Sequence, residues 1–262
     1  MQKIINKIFN KKYPPVLIAE ISANHNGSIK KAKKLILTAK KNGADLVKLQ
    51  TYEPRNMTIN SSRKDFLVKD GLWKGYKLWD LYEKAQTPLR WQKELFDYSK
   101  KIGIPCFSTP YDDEGVNILK KLNSKLYKIS SFEMKDSSLV KRICKIGKPV
   151  IISTGLANMR EISEVYKHAK KSGCKKLILL YCVSSYPAKN TDFNLNNIDI
   201  LKKKFKCEIG FSDHSTDNSV VMLAISKGVR VVEKHIALEG QKDGLDIEFS
   251  IKGKEIKKFK KD

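Results

Sequence analysis

Two of the chain's four histidines, His214 and His235, fall where the strands of one βαβ unit are predicted to end. The stretch 208–235, EIGFSDHSTDNSVVMLAISKGVRVVEKH, reads as strand, turn, helix, strand. Residues 207–211 lean apolar, and Val220, Val221, Ala224 and Ile225 recur at helical spacing. Gly228 closes the helix, and 229–232 is apolar and β-branched. Strands joined in this way are parallel, and neighbouring parallel strands present their carboxyl ends to one crevice where ligands bind. The two imidazoles therefore converge, with Asp213 and Glu233 beside them. A divalent metal is one chemistry this set supports. Two strand-end histidines hydrogen-bonded to loops is the other.

Lys48, in DLVKLQ (45–50), and Lys128, in LYKIS (126–130), lie inside otherwise apolar strands. An unpaired ammonium group is costly to bury there, so each lysine requires an anionic partner. An internal ion pair with Glu20 or Glu233 would supply one. A ligand anion would also supply it, with serine and threonine hydroxyls at neighbouring strand ends completing a phosphate or carboxylate cradle. The predicted strand ends are Glu20, Lys48 with Gln50, Ser108-Thr109, and Lys128 with Ser130-Ser131. They continue with Ser153-Thr154, Ser184-Ser185-Tyr186, Ser212-Asp213-His214 and Glu233-Lys234-His235. Every end is polar, although strands buried on both faces are mostly hydrophobic. An anion pocket beside a pair of metal-ligating histidines suits a small phosphorylated anion and a second, metal-polarised carbonyl substrate.

These residues need a scaffold that gathers strand ends. Strands are predicted at 16–21, 45–50, 104–108, 126–130, 150–153, 176–183, 207–211 and 229–232. Helices are predicted at 29–42, 88–101, 113–122, 138–146, 161–172, 195–205 and in the 208–235 unit, and an eighth begins at 254–261. Alternation of this kind over 262 residues points to a single (β/α)8 TIM barrel spanning 1–262, with an open doubly wound sheet as the alternative. Residues 51–87, rich in aromatics and charge, interrupt the rhythm as a long insertion after the second strand. No GxGxxG or Walker motif is present, which weakens a nucleotide-binding reading.

The formal net charge is +24, yet only six of the 52 basic residues are arginine. The lysines cluster on polar helical faces, as in 30–34 and 202–204, without an RNA-binding or helix-turn-helix signature. Solvated lysine faces explain this charge better than nucleic-acid binding does. Five cysteines are scattered singly, as expected of buried thiols in a reducing compartment rather than a disulfide framework. The amino terminus lacks the apolar core of a secretion signal, and no apolar run reaches membrane-spanning length. A cytoplasmic protein without membrane contact is expected.

The segments AEISANHNG (19–27), GADLVKLQTY (43–52), FSTPYD (107–112), YKISSFE (127–133), KPVIISTG (148–155), GFSDHS (210–215) and VVEKH (231–235) resemble the nonulosonate (sialic acid) synthase family, in that family's order. DGLWKGYKLWDLYEKAQTP (70–88) and CVSSYPA (182–188) are similar to its pseudaminic acid branch, and Ser184-Ser185-Tyr186 stands where the sialic acid branch has Asn–x–Tyr. The resemblance implies a condensation of phosphoenolpyruvate with an acylated amino sugar, 2,4-diacetamido-2,4,6-trideoxy-L-altrose in that branch. Sialic or legionaminic acid synthesis is the alternative, and a non-catalytic sugar-phosphate-binding barrel a further one. It implies that His214 and His235 hold a divalent metal, typically Mn²⁺, with Mg²⁺ or Co²⁺ as alternatives. Lys48, Thr109, Lys128, Ser131, Ser153 and Ser212 match the phosphoenolpyruvate cradle, and Glu20 a carboxylate at the reacting centre. Gln50, Tyr111, Ser184, Tyr186, Glu233 and Asp246 fall on the sugar side. Family members usually continue into a small antifreeze-like domain that reaches across a homodimer, whereas this sequence stops in the last expected barrel helix.

Other candidates have plainer readings. His25, in the turn signal NHNG, is either a turn residue or a substrate contact. His168 lies on a lysine-rich helical face and is expected to be solvated. Aromatics at 73, 76, 79 and 82 fall at helical spacing and are expected to pack rather than stack on sugar. Cys182 lies beside the site without a histidine base nearby in sequence, so it is not expected to be a nucleophile.

Overall fold

The computed structural model describes residues 1–261. In chain order the elements are α1 (Gln2–Ile8), β1 (Val16–Glu20), α2 (Ile29–Lys41), β2 (Leu46–Thr51), α3 (Pro54–Met57), α4 (Leu78–Ala85) and α5 (Leu89–Ile102). They continue with β3 (Cys106–Pro110), α6 (Asp113–Lys121), β4 (Tyr127–Ile129), α7 (Ser137–Cys144), β5 (Val150–Ser153) and α8 (Met159–Lys171). The last are β6 (Leu177–Cys182), α9 (Asn196–Lys204), β7 (Glu208–Asp213), α10 (Asn218–Ser226), β8 (Val231–Ala237), β9 (Ile251–Lys252) and α11 (Glu255–Lys261). β1 to β8 pair in sequence order, all parallel, and β8 returns to β1. This is the expected closed (β/α)8 barrel, not an open sheet. β9 is a two-residue addition beside β8.

Five barrel helices begin where a side chain satisfies their free N–H groups. Ser28 caps α2, Asp112 α6, Asp136 α7 and Asp217 α10, while Asn158 and Glu161 form a capping box on α8. The apolar stripes of these helices close over the outward-facing strand residues in one large core that includes Leu35, Val47, Val116, Val140, Ile152 and Phe211.

Three departures from the sequence reading stand out. α1 was not anticipated: it plugs the amino-terminal end of the barrel, where Ile8 joins Val16, Ile18, Leu46, Phe107, Ile151 and Val231. The buried Arg230 guanidinium holds its carboxyl end, donating to the carbonyls of Lys7, Ile8 and Asn10 at 2.8, 3.2 and 2.7 Å. The insertion 51–87 is shaped rather than irregular, with α3, α4 and a hairpin-like loop closed by an antiparallel bridge between Leu67 and Lys77. β8 runs five residues beyond its predicted end, because pairing with β1, β7 and β9 carries it through Glu233-Lys234-His235.

Candidate active site

Alternation along the strands sets the site. In a barrel, every second side chain points inward. From the amino-terminal end upward, these are Val16, Ile18 and Glu20 on β1, then Leu46 and Lys48 on β2. Phe107 and Thr109 follow on β3, Lys128 on β4, Ile151 and Ser153 on β5, and Ile178, Leu180 and Cys182 on β6. Ser212 on β7 and Val231, Glu233 and His235 on β8 complete the ring. The lower members form one apolar cluster, and the upper members are polar and almost wholly buried. Backbone register brings Glu20 beside both Lys48 and His235, and Ser212 beside both Cys182 and Glu233.

The upper layer is an ion network. Lys128 Nζ lies 2.6 Å from Glu233 Oε1, and Lys48 Nζ lies 3.7 Å from the same oxygen. Lys48 also pairs directly with Glu20 and donates to Thr109 Oγ1 at 3.4 Å. Ser212 Oγ donates to Glu233 Oε1 at 3.4 Å, and the Ser22 N–H to Glu20 Oε1 at 2.8 Å. Burial works to raise the Glu233 carboxyl, but Lys128 and Lys48 together overcome it and hold the group down at about 2. Burial likewise works to lower Lys48, and Glu20 and Glu233 reverse that to a raised value. Of the two partners open to the lysines, the structure supplies the internal carboxylates. A ligand anion is therefore not needed to balance their burial.

Asp213 departs from expectation. It is one residue out of phase with Ser212, so it points outward, where it meets Lys234 Nζ at 2.5 Å. Lys234 also donates to the Ser215 carbonyl at 2.5 Å, and this buried pair ties the ends of β7 and β8 behind the site.

The two histidines meet as expected, with ring centroids 5.7 Å apart at 66°. His214 Nδ1 lies 2.8 Å from the Val183 carbonyl. A carbonyl only accepts, so Nδ1 carries the hydrogen and Nε2 keeps its lone pair. Burial, reinforced by His235, pushes His214 down to about 3 and keeps it neutral. His235 Nδ1 is buried without a hydrogen-bond partner, 3.5 Å from Asp246 Oδ2. Asp246 accepts from the Ala23 N–H at 3.2 Å, and although burial opposes it, His235 and these donors hold its carboxyl below the usual range. Two facing imidazoles, with His214 kept neutral and its Nδ1 anchored on a carbonyl, are a donor set that fits a divalent transition metal. Among the described residues, no group of three or more His, Cys, Asp or Glu forms a complete cage, so remaining positions would fall to water or substrate oxygens.

The serine side of the barrel is tightly packed. Ser131 Oγ accepts from the Gly155 N–H at 3.1 Å and lies 3.5 Å from Cys182 Sγ. A Cβ on Gly155 would stand 2.5 Å from Ser184 Oγ and 2.7 Å from Cys182 Sγ, so only glycine lets these strands approach. Cys182 faces a serine rather than an imidazole, in keeping with a thiol that is not a nucleophile. Ser153 is buried in the same layer. Gln50 is held through its carbonyl, which accepts from Gln92 Nε2 at 2.8 Å. Tyr111 packs edge-on against Tyr52 at 5.1 Å, and burial pushes its phenol well above the usual value.

The remaining histidines divide. His25 is fully buried: its Nδ1 accepts from the Gly27 N–H at 3.2 Å, its Nε2 meets Thr87 Oγ1 at 3.3 Å, and it packs edge-on against Trp91. It serves the turn. His168 is not simply solvated, because its Nε2 lies 2.8 Å from the Ser137 carbonyl and links α8 to α7.

The NeuB family profile matches residues 35–262. A pseudaminic acid synthase of Campylobacter jejuni subsp. jejuni serotype O:2 is 43% identical over 249 residues, covering 95% of this chain and 73% of that protein. The chain belongs to the NeuB family. A second relative, a pseudaminic acid synthase of Helicobacter pylori, is 38% identical, covering 91% of this chain and 70% of its own. The crystal structure of an N-acetylneuraminic acid synthetase from Leptospira borgpetersenii, in complex with citrate, superposes with a TM-score of 0.84 at 31% identity. It covers 94% of this chain and 81% of that one. NeuB family enzymes are generally metal-dependent, which agrees with the paired imidazoles. No helix is long and apolar enough to cross a membrane among the described residues.

The NeuB barrel also carries residues that sequence reasoning missed. The aromatics at 73, 76, 79 and 82 do not share one helix, because α4 begins only at Leu78. Trp73 instead sits on the hairpin-like loop and reaches the site, with its ring 5.6 Å from Tyr186 and 6.5 Å from Phe249. Phe249 stands 4.8 Å from His235, and no pattern in the sequence marks it. Glu133, the last residue of YKISSFE, has a buried Oε2 without a partner, and burial pushes its carboxyl up to about 7. Two surface cavities, about 650 and 260 Å3, lie at the opposite, amino-terminal end around α1 and Lys125.

Proposed function

We propose that the chain is a pseudaminic acid synthase, condensing phosphoenolpyruvate with 2,4-diacetamido-2,4,6-trideoxy-L-altrose to give pseudaminic acid and phosphate. The observation that carries this reading is the buried layer of Lys48, Lys128, Glu20 and Glu233 beside two facing histidines. The high identity to pseudaminic acid synthases over nearly the whole chain supports the choice of sugar.

In this reading Lys48 and Lys128 offset the charge of phosphate and carboxylate, and the hydroxyls of Thr109, Ser131, Ser153 and Ser212 orient the phosphoenolpyruvate. His214 and His235 hold a divalent cation, Mn²⁺ foremost, with Mg²⁺ or Co²⁺ as alternatives. When bound, that cation polarises the sugar aldehyde and offsets charge on its oxygen. Gln50, Tyr111, Ser184, Tyr186, Glu233 and Asp246 line the sugar side. The enol carbon forms the new C–C bond at the aldehyde carbon, water adds to the cationic carbon left behind, and phosphate departs with C–O cleavage. Glu20, anchored by the Ser22 N–H, is placed to orient that water or accept its proton.

The deciding experiment is phosphate release from phosphoenolpyruvate with Mn²⁺, comparing the diacetamido altrose sugar with N-acetylmannosamine. Release with the first alone, lost in His214→Ala, supports both the reaction and the metal role. Release with N-acetylmannosamine alone moves the chain to the sialic acid branch. Binding of both substrates without release would leave a sugar-phosphate-binding barrel.

A further inference from the structure

Trp73 enters the site from outside the barrel. The loop that carries it is closed by the Leu67–Lys77 bridge and by bonds of 2.9 Å from the Val68 N–H to the Tyr76 carbonyl and from the Gly75 N–H to the Val68 carbonyl. Gly71 and Gly75 take φ of 80° and 89°, the left-handed region where glycine is unstrained. Trp73 lies between them. Its Nε1–H donates to the Leu245 carbonyl at 2.9 Å, so the indole has no donor left for a ligand. Its ring packs on Tyr186, which lies 4.3 Å from His214 and 5.3 Å from Phe249. Tyr186 and the buried Phe249 thus lie against the two imidazoles, and Trp73 packs against both of these rings.

We infer that Trp73 is a specificity-determining residue whose indole, with the Tyr186 ring and backed by the buried Phe249, takes the methyl-bearing end of a deoxy amino sugar. This rests on the synthase reading above and adds the basis of its sugar choice. A methyl group buried against aromatic faces loses only apolar hydration. A hydroxymethyl group in the same place surrenders hydrogen bonds to water and can recover at most one, from the Tyr186 hydroxyl, because the Trp73 donor is already engaged. Apolar walls discriminate modestly, so the effect is about tenfold rather than thousands.

The test compares kcat/KM for the 6-deoxy diacetamido sugar and its 6-hydroxy counterpart in wild type, Trp73→Ala and Trp73→Phe. The expected result is that Trp73→Ala lowers the deoxy-to-hydroxy ratio about tenfold, chiefly through KM for the deoxy sugar. Trp73→Phe, which keeps an apolar ring but not the tether to Leu245, retains most of the ratio. If Trp73→Ala slows both sugars equally, Trp73 only holds the 245–249 loop and the inference is overturned. Calorimetric titration of both sugars separates this outcome from failure of the parent reading. Should wild type turn over neither sugar, the synthase assignment fails, and the wall is then judged by binding alone. An unchanged ratio of dissociation constants between wild type and a folded Trp73→Ala variant overturns it.

Discussion

Glu233 Oε1 lies 2.6 Å from Lys128 Nζ and 3.7 Å from Lys48 Nζ, so one carboxylate oxygen ties β8 to β4 and β2 across the barrel interior. Removing that charge leaves buried ammonium groups without compensation, which typically costs about 3–5 kcal/mol. Glu233→Gln is therefore expected to lower unfolding stability by that order. The double variant Lys128→Met with Glu233→Gln should regain a large part of it while remaining inactive. Denaturant titration decides: if the double variant is no more stable than Glu233→Gln, the loss is not one of uncompensated charge.

Asp246 faces His235 and is the outer partner that would orient this imidazole toward a cation. Asp246→Asn is expected to weaken Mn²⁺ binding by roughly 10–100-fold, with His214→Ala weakening it further. Calorimetric titration with Mn²⁺ measures both. Equal affinity in wild type and Asp246→Asn would remove Asp246 from the metal's support.

His25 is held down at about 4 by burial, against an ordinary value of 6.5, with Asp246 working the other way. Between those values the unfolded chain takes up a proton that the native state refuses. Stability is therefore complete above pH 6.5 and falls as pH drops toward 4, by about 3 kcal/mol at most. His25→Asn should be less stable at pH 7 but show a flatter dependence over that window. An unchanged slope would assign the acid sensitivity elsewhere.

Glu133 should behave in the opposite sense. Burial raises its carboxyl from 4.5 to about 7, so the native state keeps a proton that the unfolded chain releases. Its contribution is intact below pH 4.5 and is lost as pH rises through 7. Glu133→Gln is expected to stabilise the protein at pH 8 by about 2 kcal/mol, with the advantage gone at pH 4.5. Thermal unfolding at the two pH values tests this, and an equal gain at both would contradict it.

Arg230 satisfies three carbonyls at the end of α1. Arg230→Ala should cost on the order of 3 kcal/mol and raise hydrogen exchange throughout residues 2–8. Protection unchanged in α1 would show that Ile5 and Ile8 hold the plug without it.

The sequence alone determined the barrel and the membership of its upper layer. A strand of period two exposes its pattern directly: Glu20, Lys48, Lys128, Ser153, Ser212 and Glu233 each interrupt an apolar alternation on the inward side. His214 and His235 were legible as a pair because both lie near the carboxyl ends of the two strands of one βαβ unit. Pairings between distant strands were not legible, since ion pairs form through space and a lysine in a strand names no partner. Only closure of β8 onto β1 brought Glu20, Lys48, Lys128 and Glu233 into one network and matched lysines with carboxylates. One residue of phase sent Asp213 outward to Lys234. Trp73 and Phe249 were invisible because loops carry no periodicity, and the packing of Phe249 on His235 and of Trp73 on Phe249 depends on how the 67–77 hairpin and the 245–249 loop meet. Local pattern fixes which side chains a strand turns inward, and tertiary closure fixes what each of them meets.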